Sequence, residues 1–114
     1  MKNLFAILTA LLGGACSAPR NIPDAAVLLD VRTEAEFNRC HIPGSILIPH
    51  DRIPAEVAAK IPDKNTPVLI FCRSGRRSAI AKKSMEQLGY KNLQYLGSIE
   101  NAAGTLNKKL VSGQ

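Results

Sequence analysis

The sequence predicts an α/β domain: a parallel sheet of about four to five strands with helices on both faces. Three observations predict it. Short apolar runs alternate with helical patterns along the chain, the apolar runs are continuous, and Pro or Gly punctuates most of the joins. A strand buried on both faces needs an unbroken apolar run, whereas a strand wet on one side alternates with period two.

The elements follow in order. Ala25 to Val31 is apolar apart from Asp30 and forms the first strand. Thr33 opens a helix, because Thr33 and Glu36 make an S/T-x-x-E box in which each side chain satisfies a backbone N–H of the other. Phe37 is its apolar residue, expected to turn inward. His41-Ile42-Pro43-Gly44 is a turn, and Ser45 to Ile48 a second strand. Asp51 to Lys60 gives a short helix bounded by Pro49 and Pro62, then Pro67 to Phe71 a third strand. The next helix starts near Ser78 and ends at Gly89, a residue suited to a left-handed cap. Ala81, Ser84, Met85 and Leu88 share its inner face. Asn92 to Leu96 is a fourth strand.

Composition narrows the function. The chain has 114 residues, 46% of them hydrophobic and 21% charged, which suits one small domain with a packed core. Aromatics make up 4% with no Trp, so the core is aliphatic. The net charge of +6 comes from basic residues mixed with acidic ones. Nucleic-acid binding needs a basic stripe with stacking aromatics, and two Tyr and three Phe do not supply one. The densest basic cluster, Arg73, Arg76 and Arg77, instead flanks Cys72, an arrangement that attracts a small anion.

The first residues have the order of an export signal. Lys2 supplies the positive start, Leu4 to Leu12 an apolar run, and Gly13-Gly14-Ala15 small residues for cleavage. That run is too short for a bilayer core of about 30 Å, which takes about twenty residues. Residues 1–15 are therefore expected to be a signal peptide, and 16–24, with Pro19 and Pro23, a linker; the domain occupies 25–114. Leu12 to Cys16 resembles a lipobox with Gly13 where Leu is usual, so Cys16 is a candidate for lipidation. The expected location is the periplasm, with membrane contact only through that lipid.

The chemistry is concentrated in Val68-Leu69-Ile70-Phe71-Cys72-Arg73-Ser74-Gly75-Arg76-Arg77-Ser78. Ligands of parallel α/β sheets sit outside the carboxyl ends of the strands, which is where Cys72 falls. Backbone N–H groups of residues 73 to 78, ending at a helix N-terminus, make an anion cradle. Gly75 lets the backbone bend tightly. Cations and N–H donors favour an anionic sulfur over a thiol, and no His is at hand as a base. Arg73 and Arg77 flank the cradle and are expected to matter most among the arginines.

Leu29-Asp30-Val31-Arg32-Thr33-x-x-Glu36-Phe37, His41-Ile42-Pro43-Gly44-Ser45 and Cys72 to Ser78, in that order, resemble the rhodanese superfamily in its short exported form. The resemblance implies a rhodanese-like domain with Cys72 as the catalytic residue, carrying sulfur as a persulfide. It implies substrate binding by Arg73, Ser74, Gly75, Arg76, Arg77 and Ser78. The implied partners are an anionic sulfur donor such as thiosulfate and an acceptor, cyanide or a thiol; no cofactor and no metal is implied. Asp30 and Arg32 match a structural motif near the site, and His41 a structural histidine. The chain departs from the family pattern at Cys40, where Gly is usual, and at Gly97-Ser98-Ile99, which lacks the usual second Gly and Trp.

Three alternatives stay open. A persulfide carrier or sensing module would hand sulfur to a protein partner. A related phosphatase or arsenate reductase would use the same loop, but those resemble Cys-x5-Arg, one residue longer than the spacing of Cys72 to Arg77. A redox role would pair Cys40 with Cys72.

Overall fold

The computed structural model describes residues 25–113, so the signal peptide, Cys16 and the linker of the sequence reading lie outside the described residues. The strands are β1 (Val27–Asp30), β2 (Ile46–Leu47), β3 (Val68–Cys72) and β4 (Leu93–Ser98). The helices are α1 (Glu34–Arg39), α2 (Ile53–Lys60), α3 (Arg76–Gln87) and α4 (Ile99–Leu106), with a 3-10 turn at His50–Arg52 leading into α2. All strand pairs are parallel, in the order β2-β1-β3-β4.

All five residues of β3 are buried, which explains its unbroken apolar run. Its side chains alternate between two cores. Val68, Ile70 and Cys72 join Ile53 and Val57 of α2 and Ala81 and Met85 of α3. Leu69 and Phe71 join Ile99, Ala102 and Ala103 of α4 on the other face. Each fully buried Leu or Ile contributes about 2 kcal/mol of transfer free energy, so β3 anchors the fold from both sides. Its end cannot drift, and Cys72 is fixed with it.

The capping box at α1 forms as its residues dictate. Glu36 N–H donates to Thr33 Oγ1 at 3.2 Å, and Thr33 N–H donates to Glu36 Oε1 at 2.9 Å. Phe37 does not turn fully inward. It is half-buried and stacks on the His41 ring, with centroids 4.1 Å apart. Helix α1 buries none of its residues.

Most elements lie within a few residues of their expected bounds, with two notable differences. Helix α3 begins at Arg76, two residues before Ser78, because Gly75 takes a left-handed conformation (φ 97°) and turns the chain straight into it. Helix α4 was not expected at all. Ser98 caps it by accepting from Asn101 N–H at 3.0 Å, and Ile99, Ala102 and Ala103 form its buried side. Among the described residues, no helix is long and apolar enough to cross a membrane.

Candidate active site

Cys72 ends β3 on the face covered by α2 and α3, and its side chain is completely buried. The chain then turns through Arg73, Ser74 and Gly75 into the first turn of α3. Two amides converge on the sulfur: Gly75 N–H donates to Cys72 Sγ at 2.9 Å and Ser78 N–H at 3.2 Å. The Cys72 thiol lies 3.5 Å from Ser78 Oγ, which itself donates to the Gly75 carbonyl at 3.0 Å and lies 3.4 Å from the Gly97 carbonyl. The two amides and the N-terminus of α3 present partial positive charge to the sulfur.

Gly75 has no alternative at its position. Its φ is left-handed, and a Cβ there would come 2.7 Å from Tyr95 Oη and 3.6 Å from Gly97 Cα.

The three arginines do different things. Arg77 makes two hydrogen bonds to Glu36, at 2.9 and 3.0 Å, so its charge is matched by a carboxylate. That pairing raises Arg77 above the ordinary arginine value. Above all through Arg77, Glu36 is held down at about 2. Arg73 is 74% exposed and reaches Glu36 only at 3.9 Å. Arg76 is exposed and, among the described residues, makes no ion pair. Ser74 is exposed at the outer edge of the loop.

Asp30 and Arg32 form a second, buried unit. The Asp30 carboxylate accepts from Arg32 N–H at 3.0 Å, from Nε at 2.9 Å and 3.0 Å, and from Nη2 at 2.7 Å. Nη2 also donates to the Cys40 carbonyl at 2.6 Å, bracing the end of α1 against the end of β1. Burial alone would lower Arg32, but the Asp30 carboxylate outweighs it and raises the guanidinium. His41 is engaged structurally, with Nδ1 3.0 Å from the Phe37 carbonyl and its backbone bridged to Val111. Cys40 and Cys72 are both free thiols, not joined to one another.

Two contributors escaped the sequence reading. Glu36 was assigned wholly to its capping box, although a carboxylate in the first turn of a helix is also free to meet a cation across space. Tyr95 carries no motif. The only available sign was an aromatic residue two positions before Gly97 in a strand that must run alongside the loop.

A parallel α/β sheet that ends a buried strand in a cysteine, and turns two amides onto its sulfur, defines a small α/β domain of the cysteine-loop class. The rhodanese-like domain model matches residues 16–103, and the chain belongs to that family. It is 32% identical over 75 residues to the thiosulfate sulfurtransferase PspE of Escherichia coli (strain K12), covering 66% of this chain and 72% of that one. It is 31% identical over 87 residues to the thiosulfate:glutathione sulfurtransferase of Saccharomyces cerevisiae, covering 66% of this chain and 63% of that protein. Among solved structures, a rhodanese with anions from E. coli superposes with a TM-score of 0.70 at 29% identity, covering 78% of this chain and all of that one.

Proposed function

We propose that the chain is a thiosulfate sulfurtransferase that carries sulfane sulfur on Cys72 and delivers it to cyanide or a thiol. The observation that carries this reading is the pair of amide hydrogen bonds, 2.9 and 3.2 Å, ending on the Cys72 sulfur. A fixed positive cradle stabilises charge that the reaction places on sulfur. The Cys72 thiolate attacks the outer sulfur of thiosulfate, an S–S bond forms, and the bond to the sulfonate breaks with its electron pair, releasing sulfite. Cys72 is left as a persulfide anion. Cyanide then attacks the outer sulfur, the S–S bond breaks toward Cys72, and thiocyanate leaves with the thiolate restored; a thiolate acceptor leaves as a persulfide in the same way.

Burial of Cys72 supports a persulfide. A second sulfur extends the reactive atom by about 2 Å, out of a position a bulky acceptor cannot enter. A phosphoryl-transfer loop of the Cys-x5-Arg kind needs an arginine six residues after the cysteine, and the buried Ser78 stands there instead. The names of the relatives, thiosulfate sulfurtransferases of two organisms, agree with the choice of donor. We also take the protein to be exported, with its mature chain starting at Cys16, which the lipobox-like order Leu12 to Cys16 makes a candidate for lipidation.

The test is intact mass before and after thiosulfate, followed by thiocyanate production from cyanide. Mature wild type is expected to gain one sulfur atom and turn over, and Cys72→Ser to do neither, a loss of at least about a thousandfold. Sulfur uptake in Cys72→Ser would end the assignment. Uptake by wild type with transfer only to a protein acceptor would make the chain a carrier. The same mass reports a lipid on Cys16.

A further inference from the structure

Strand β4 carries one residue more than its partner. Ile70 pairs with Tyr95 and Phe71 with Gly97, which leaves Leu96 unopposed. Alternation along the strand places Leu96 in the core beneath α4 and Tyr95 on the opposite face, toward α3. There the phenol is half-exposed, and its hydroxyl donates to the Gly75 carbonyl at 2.7 Å.

That carbonyl is held by three donors: Tyr95 Oη, Ser78 Oγ at 3.0 Å and Ala79 N–H at 3.2 Å. A trans peptide points its C=O and the next N–H in opposite directions. Fixing the Gly75 carbonyl along α3 therefore fixes the Arg76 N–H out of the helix mouth. First-turn N–H groups have no acceptor within their own helix. Ser78 N–H, leaving the same turn, ends on Cys72 Sγ at 3.2 Å, so the sulfur occupies this mouth.

We propose that Tyr95 is a positioning residue for sulfur transfer: its hydroxyl holds the Gly75–Arg76 peptide so that the Arg76 amide faces the outer sulfur of the Cys72 persulfide. The inference rests on the sulfurtransferase reading. Gly75 and Tyr95 form a matched pair, because any side chain at Gly75 would collide with the phenol oxygen. A cradle amide left to wobble is a weaker stabiliser than one held in place, since the value of such donors lies in their preorganisation.

Tyr95→Phe removes the hydroxyl and keeps the ring. Sulfur loading from thiosulfate, followed by intact mass, is expected to slow about tenfold. The loaded protein should also lose its sulfur several-fold faster in acceptor-free buffer. Donor KM should stay within about twofold, because the arginines are untouched, and the thermal midpoint within a few degrees. Wild type that takes up no sulfur overturns the sulfurtransferase reading and this inference together. Wild type that loads while Tyr95→Phe loads and discharges at the same rates overturns this inference alone. So does a slowdown matched by a fall in thermal midpoint and relieved on cooling, because the hydroxyl would then be only structural.

Discussion

Two arginine–carboxylate pairs border the sulfur loop, and their surroundings differ. Asp30 and Arg32 are two residues apart, with side chains 0% and 5% exposed. Glu36 and Arg77 are 41 residues apart, with side chains 15% and 22% exposed. The first pair ties the end of β1 to the Cys40 carbonyl just past α1, and so sets the frame on which the loop rests. The second ties α1 to the first turn of α3 and sets how much free charge the loop presents. A buried pair is expensive to break because it strands a charge. A pair that water can reach is cheap to break and so suits tuning.

The sharpest way to break this contrast is at Asp30. Asp30→Asn leaves the Arg32 guanidinium buried without its counter-charge, which should destabilise the domain by about 3 kcal/mol. For a domain of this size that is a fall of more than about 10 °C in thermal midpoint. Glu36→Gln should cost about 1 kcal/mol, because water replaces the lost partner. Urea melts of the two variants decide it. Equal losses would mean that the two pairs are alike and that burial does not divide their roles.

The same contrast explains what the sequence could and could not reveal. Strand β3 was legible because burial on both faces leaves a mark on every residue from Val68 to Cys72. The loop was legible because Gly75, the arginines and the strand end lie within one short stretch. Helix α4 was missed because Asn101, Gly104 and Thr105 are weak helix formers within eight residues, which hides the apolar side made by Ile99, Ala102 and Ala103. The Glu36–Arg77 and Tyr95–Gly75 contacts were missed for another reason. Each joins residues distant in sequence, and each uses a side chain that local rules already explained or ignored. Periodicity reports what an element buries; it is silent on which polar groups meet across elements.

A second test follows from the carboxylate of the part-buried Glu36–Arg77 pair. Glu36 is held at about 2, against an ordinary value of 4.5. A group lowered on folding contributes stability that is complete above its unfolded value and is lost as pH falls through its folded value. The Glu36–Arg77 contribution should therefore be whole above about pH 5 and fade between about 4.5 and 2. Gln at position 36 can still accept from Thr33 N–H in the capping box, so Glu36→Gln isolates the ion pair. The stability gap between wild type and variant should be about 1 kcal/mol at pH 6 and shrink toward zero near pH 2. A gap independent of pH would show that the pair's charge is not what holds α1 to α3.

The smallest effect separates the loop arginines from one another. Thiosulfate is a dianion, and its capture depends on charge not already matched. Arg77 is neutralised by Glu36, Arg73 is partly drawn toward the same carboxylate at 3.9 Å, and Arg76 has no ionic partner among the described residues. Arg76→Gln, rather than the Arg73 and Arg77 changes that flanking the cradle favoured, should therefore raise donor KM most, about two- to fivefold at low salt, Arg73→Gln less, and Arg77→Gln least. Exposed charges are screened over about 10 Å at 0.1 M salt, so the Arg76 effect should shrink as ionic strength rises. Helix amides do not depend on these side chains, so kcat should stay near wild type in the Arg76 and Arg73 variants. Donor KM and kcat measured across a salt series for the three variants give the ranking. Were Arg77→Gln to raise KM most, Glu36 would not be cancelling its charge, and the Glu36–Arg77 pair would be gripping substrate rather than tuning the loop.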